Sequence, residues 1–185
     1  MNFKRFINGI ERRIKETRRH LKLIVSDLLQ NWIASGVVCP IKVRPILYRL
    51  AGNKIGKGCY LSPRIFLGPG PGKLFVGGGG TFINYNCWFD LGDDIIIEEN
   101  CNIAMNVHFI NGTHEIGDNK RRAGKGITKK IVVKSGAWIG ADTIIMPGVT
   151  IGNGVVVGAG SLVTKDLEDN AIYLGRPASL YRKLE

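Results

Sequence analysis

The imidazoles that could move a proton near neutral pH are His20, His108 and His114. His114 stands apart because it opens onto a strongly polar stretch. Residues Glu115–Lys130 include Asp118 and the basic residues Lys120, Arg121, Arg122, Lys125, Lys129 and Lys130. A polar loop of this kind, leaving a rigid scaffold, is where functional groups concentrate. A neutral imidazole at its mouth is suited to taking a proton from a hydroxyl. A catalytic zinc would want about three protein ligands around one ion. His20 sits in a separate basic stretch, while His108 and His114, six residues apart, occupy equivalent corners of successive faces and point in different directions. The cysteines Cys39, Cys59, Cys87 and Cys101 show no CxxC spacing, so no metal is expected. Two glycine-rich runs, Gly68–Gly72 and Gly77–Gly80, lack the Lys-Ser/Thr ending of a phosphate-cradling loop and read as turns.

The elements that hold His114 are set by a repeat. From Val133 onward aliphatic residues open successive hexads at Ile139, Ile145, Ile151, Val157 and Val163. The same register returns at Ile97, Ile103 and Phe109, at Ile83 and Phe89, and at Ile55, Leu61 and Leu67. A period of six fits neither an α-helix nor a plain alternating strand. It suits a short strand and a turn, with one aliphatic side chain pointing inward each time. Three such strands close a triangular coil, and stacked coils file their aliphatics along an axis. Cys59, Cys87 and Cys101 occupy the fifth position of a hexad, where a small inward side chain packs well. His114 closes the hexad that Phe109 opens, which predicts an exposed corner.

Outside the repeat the composition changes. Residues 1–22 carry eight basic residues against Glu11 and Glu16, which gives +6 of the formal net charge of +11. Phe3, Phe6, Ile7, Ile10 and Ile14 recur among them at helical spacing, and Leu21, Ile24, Val25, Leu28, Trp32 and Ile33 continue the apolar face. The pattern predicts one or two amphipathic helices ending near Gly36. Such a helix packs on its own scaffold or on a neighbouring subunit, or lies peripherally on an anionic membrane. No apolar run is long enough to span a bilayer, and no cleavage site comes after Leu21–Leu29, so a cytoplasmic location, with contact to the inner face of the membrane, is expected. The basic balance favours anionic partners, but no nucleic-acid motif accompanies it. The organisation expected is an N-terminal helical segment (1–50), a repeat domain (51–168) with an inserted loop (115–130), and a C-terminal extension (169–185) of a short strand and a helix.

The hexads, the loop and its histidine resemble the hexapeptide-repeat acyltransferases, in particular the maltose, galactoside and nodulation O-acetyltransferases. The resemblance rests on Asn84 beside Ile83, on His114 thirty residues later ahead of a loop, and on Trp138-Ile139-Gly140 downstream. It implies a mainly β fold, a left-handed parallel β-helix with an N-terminal helical segment and an extruded loop. It implies acetyl transfer from acetyl coenzyme A to a hydroxyl, with His114 as general base and Asn84 orienting the acceptor. A backbone N–H of Gly140–Ala141 would face the oxyanion. The pantetheine arm would run past Trp138, Ala141 and Ala159 towards Thr164 and Lys165, with Lys165 and Arg182 as phosphate contacts. The groove would lie between subunits of a homotrimer.

One departure bears on the acceptor. The sugar-acetylating relatives carry paired aspartates where this chain has Leu91-Gly92, with Asp90, Asp93 and Asp94 beside them. Asp90 and Asp93 are the substitutes expected to bind substrate. A sugar hydroxyl of a surface polysaccharide or its precursor is the expected acceptor, and an antibiotic of the xenobiotic group is the alternative. A γ-class carbonic anhydrase, which shares the scaffold, would need a third histidine that the repeat does not contain.

Overall fold

A hexad can bury only one aliphatic side chain per strand if its strands are short and the chain turns between them. A computed structural model describes the backbone of residues 3–185 and the side chains of residue 8 and residues 11–185. Coil 1 is β1 (Lys54–Ile55), β2 (Tyr60–Leu61) and β3 (Phe66–Leu67). Coil 2 is β4 (Leu74–Val76), β5 (Phe82–Ile83) and β6 (Trp88–Phe89), and coil 3 is β7 (Ile95–Ile97), β8 (Asn102–Ile103) and β9 (His108–Phe109). An antiparallel arm, β10 (Gly112–Ile116) and β11 (Ala123–Thr128), then leaves the scaffold. Coil 4 is β12 (Ile131–Val133), β13 (Trp138–Ile139) and β14 (Ile144–Ile145). Coil 5 is β15 (Thr150–Ile151), β16 (Val156–Val157) and β17 (Leu162–Val163).

Strands at the same position of successive coils pair in parallel, which makes three sheets. The first holds β1, β4, β7, β12 and β15, and the third holds β3, β6, β9, β14 and β17. The second holds β2, β5, β8, β13 and β16, then β18 (Ala171–Leu174) and β19 (Ser179–Lys183). Ile97, Ile103, Phe109, Val133, Ile139 and Ile145 are buried in files along the axis, and Phe89 stacks on Phe109 at 4.7 Å. Burying each such side chain stabilises by roughly 1.5–3 kcal/mol. The corners explain the asparagines and glycines. Asn86, Asn106, Gly136, Gly148 and Gly160 all have positive φ, a conformation that Asn and Gly adopt at little cost.

Three expectations are corrected. The second coil starts at Leu74–Val76, inside the stretch between the glycine runs, because Val76 and Ile83 are seven residues apart and hide the period. The extension after the last coil is two strands, β18 and β19, with no helix. The inserted segment is a hairpin whose pairing already begins at Gly112, since Lys129 N–H donates to the Asn111 carbonyl and Gly112 faces Thr128.

The N-terminal end is capped. Helix α1 spans Phe3–Asp27 and widens into a π-helical turn at Leu28–Ala34, and a short α2 covers Arg44–Leu50. Asn31 pairs with the backbone of Leu67 in both directions, at 2.8 and 2.9 Å. The buried Arg44 guanidinium donates to the carbonyls of Ala34, Gly36 and Leu61, and Asn53 receives the Leu74 N–H. The contacts to Leu61 and Leu67 satisfy backbone groups of the first coil, and the others tie the cap to itself and to coil 2. The side chains of Phe3, Phe6, Ile7 and Ile10 lie outside the described residues.

Candidate active site

The corners of successive coils stack into three edges of a prism, and the expected site residues fall on two of them. The edge between the second and third sheets carries Asn84, then Ala104, then Gly140 and Ala141, then Ala159, one group per coil. Trp138, just before this edge on β13, is 56% exposed and pairs in register with Asn102 and Val156. The edge is narrow because the coils approach closely: a Cβ on Gly140 would lie 2.5 Å from the Ala159 nitrogen. Gly140 N–H is committed to the Val157 carbonyl at 2.7 Å. Ala141 N–H has no hydrogen-bond partner among the described residues, so of the two amides it is the one able to meet a developing oxyanion. Asn84 accepts the Tyr85 N–H through Oδ1 at 2.8 Å, which leaves its amide NH2 to donate.

The edge between the third and first sheets carries the arm and, two coils on, Thr164 and Lys165. His114 is on strand β10 itself, opposite Gly126, rather than at the coil corner expected from its hexad. Its side chain is exposed, and Nδ1 lies 3.1 Å from the Gly124 carbonyl. That contact makes Nδ1 the protonated nitrogen of the neutral ring and leaves the Nε2 lone pair free, as a general base requires. The arm is fixed at its root. Asp90 Oδ2 accepts the Gly112 N–H at 2.8 Å, and the fully buried Asn111 donates to the Asp93 carbonyl.

The same root restricts position 92 of the Leu91-Gly92 departure. A Cβ on Gly92 would lie 2.7 Å from Thr128 Cγ2 and 3.3 Å from Asn111 Oδ1, so the arm leaves little room for a side chain there. Of the two neighbouring carboxylates, Asp90 is engaged in holding the arm. Among the described residues the Asp93 carboxylate accepts only the adjacent Asp94 N–H, through Oδ1. Sequence reasoning missed this clamp and the Gly124 carbonyl, because both depend on how the hairpin folds back. Arg182 lies on β19, at the far end of the second sheet, apart from Lys165. Among the described residues no His/Cys/Asp/Glu cluster is suited to a metal.

Comparison with known proteins agrees with the fold. Residues 130–165 match the model of the bacterial transferase hexapeptide (six repeats). The chain is 32% identical over 157 residues to a galactoside O-acetyltransferase of Lactococcus lactis, covering 85% of this chain and 75% of the relative. It superposes on a hexapeptide-repeat acetyltransferase of Vibrio cholerae complexed with acetyl coenzyme A with a TM-score of 0.80 and 28% identity, over 90% of this chain and 88% of that one. A maltose O-acetyltransferase of Clostridium difficile gives a TM-score of 0.77 and 31% identity, over 90% of this chain and 86% of that one. The shared fold carries the left-handed winding of the coil.

Proposed function

This chain belongs to the hexapeptide-repeat acetyltransferases of the galactoside and maltose O-acetyltransferase type, and we propose that it acetylates a sugar hydroxyl at sites each built by two copies of the chain. One observation carries the second half of this reading. Asn84, Trp138, Ala141 and Ala159 share one edge of the prism, whereas His114, Thr164 and Lys165 share another. A homotrimer, in which the arm edge of one copy faces the small-residue edge of the next, brings the two sets together and leaves three equivalent sites.

Acetyl coenzyme A supplies an acyl group already activated as a thioester, so no acyl-enzyme is needed. The exposed Trp138 and the small residues Ala141 and Ala159 suit the passage of its pantetheine arm, and Thr164, Lys165 and Arg182 supply the polar and cationic ends. His114 Nε2 takes the proton of the acceptor hydroxyl as that oxygen attacks the carbonyl. Ala141 N–H faces the oxygen on which negative charge grows. The imidazolium then returns its proton to the departing sulfur, which restores the neutral ring. Asn84, through its free NH2, and Asp93 hold the acceptor, while Asp90 serves the arm. The acceptor is a precursor of a surface glycan, met on the cytoplasmic side of the membrane.

The test is release of coenzyme A thiol from acetyl coenzyme A in the presence of sugars, glycan precursors and antibiotics. Acetylation of a sugar hydroxyl supports the proposal, and transfer confined to antibiotics would replace it.

A further inference from the structure

We propose that helix α1 and the turn after it form a docking surface for an anionic lipid bilayer, a surface that goes beyond the acetyl-transfer reading and does not depend on it. The scaffold uses residues 28–53 as its cap, with the side chains of Asn31, Arg44 and Asn53 turned inward. The C-terminal part of α1 and the turn after it leave large apolar residues exposed. Leu21, Ile24, Val25 and Leu28 are 47–63% exposed, and Trp32 is 73% exposed. At 100° per residue, positions 14, 21, 24 and 25 of α1 fall within one stripe, about 100° wide, which Leu28 continues at the start of the π-helical turn. Among the described residues, fourteen of the twenty-three exposed large apolar side chains lie between Ile14 and Leu50, so apolar surface is concentrated at this end of the molecule.

Charge identifies the occupant. The described part of α1 carries Arg12, Arg13, Lys15, Arg18, Arg19 and Lys22, all exposed, against Glu11 and Glu16. Arg18 and Lys22 line a groove between α1 and α2 together with Leu21, Val25 and Leu50, which puts cations directly beside the apolar stripe. A second copy of so basic a helix would be repelled, whereas phosphodiester headgroups above acyl chains match both halves of the pattern. Among the described residues no helix is long and apolar enough to cross a membrane, so the helix would lie in the interface plane. Its 25 residues span roughly 37 Å. The cap then holds the prism rigidly above the bilayer. The arm leaves after coil 3, about 10 Å along the axis from coil 1 at the spacing of paired strands. An acceptor anchored in the same leaflet would be within reach.

Flotation of the full chain with phosphatidylcholine–phosphatidylglycerol vesicles, against phosphatidylcholine alone, tests the proposal. The chain should float only with the anionic vesicles and be released by salt. Each basic residue near the surface strengthens partition about fivefold, so Arg18→Gln with Lys22→Gln should weaken it roughly 25-fold. Leu21→Glu with Ile24→Glu should abolish flotation while particle mass and acetyl transfer to a free sugar stay unchanged. Failure of the full chain to float, or equal flotation of both double variants, would overturn the proposal. A fall in particle mass in Leu21→Glu with Ile24→Glu would assign the stripe to a neighbouring copy and overturn it equally. Because acetyl transfer is measured on the same samples, a full chain that floats but transfers no acetyl group would count against the enzymatic reading and not against this one.

Discussion

The two functional edges of the prism are built in opposite ways. The edge that carries Asn84, Ala141 and Ala159 is regular, with one small group per coil and close approach between coils, as the 2.5 Å from a Cβ on Gly140 to Ala159 shows. The edge that carries His114 is irregular: it accommodates the run Gly68–Gly72, the carboxylates Asp90–Asp94 and a complete hairpin. Regularity gives a straight wall along which an extended arm can lie. Irregularity gives a projecting strand that carries an exposed imidazole out on the arm. In the proposed function the base lies on one edge and the oxyanion donor on the other, so a site of that kind requires the two edges to meet.

The contrast between the edges is most exposed to test at the base. His114→Ala should lower acetyl transfer by roughly 10²–10⁴-fold with the fold intact, the usual worth of a general base. His108, on the outward face of β9, should tolerate alanine with little loss. A core change on neither edge is next: Ile103→Ala should cost about 2–5 kcal/mol in denaturant unfolding, since Ile103 is fully buried between its file neighbours. The arm root comes third. Asp90→Ala removes the acceptor of the Gly112 N–H and should lower kcat about tenfold with KM for the sugar little changed, in line with a hydrogen bond to a charged group worth about 1.5–3 kcal/mol. Asp90→Asn, which can still accept that N–H, should recover most of the loss. A rise in KM in both variants would instead place Asp90 on the acceptor.

The smallest effect belongs to the scaffold thiols. Burial pushes the Cys87 thiol up to about 12 and that of Cys101 up to about 11, because a thiolate there would be stripped of water. Both should resist alkylation at pH 8 until the protein is unfolded, and mass spectrometry of the labelled chain reads this directly. Labelling in the native state would mean that the coils open at these corners.

The prism was legible in the sequence wherever its hexads are uninterrupted: Ile97 to Phe109 and Val133 to Val163 all point inward as their spacing requires. Val76 was not, because one extra residue in the turn Gly77–Gly80 breaks the period while leaving the strand in place. His114 was legible as a residue but not as a position. Its hexad points to a corner, whereas cross-strand pairing from Gly112 onward carries it onto the arm. The division of labour between Asp90 and Asp93, and between the amides of Gly140 and Ala141, depends on which hydrogen bonds the fold has already used. No residue pattern reports that.

A site that takes His114 from one copy and the Asn84–Ala141 edge from another can exist only in an oligomer. Light scattering should first give about three times the 20.3 kDa chain mass, as a closed trimer requires. The decisive measurement is then acetyl transfer by trimers co-expressed from His114→Ala and Asn84→Ala chains. Each variant alone should be nearly inactive. If the site spans two copies, random mixing leaves about a quarter of the sites with both residues intact, so about a quarter of the wild-type rate should return. If the site lies within one chain, no mixed trimer contains an intact site, and a mixture as inactive as its parents would contradict a shared site.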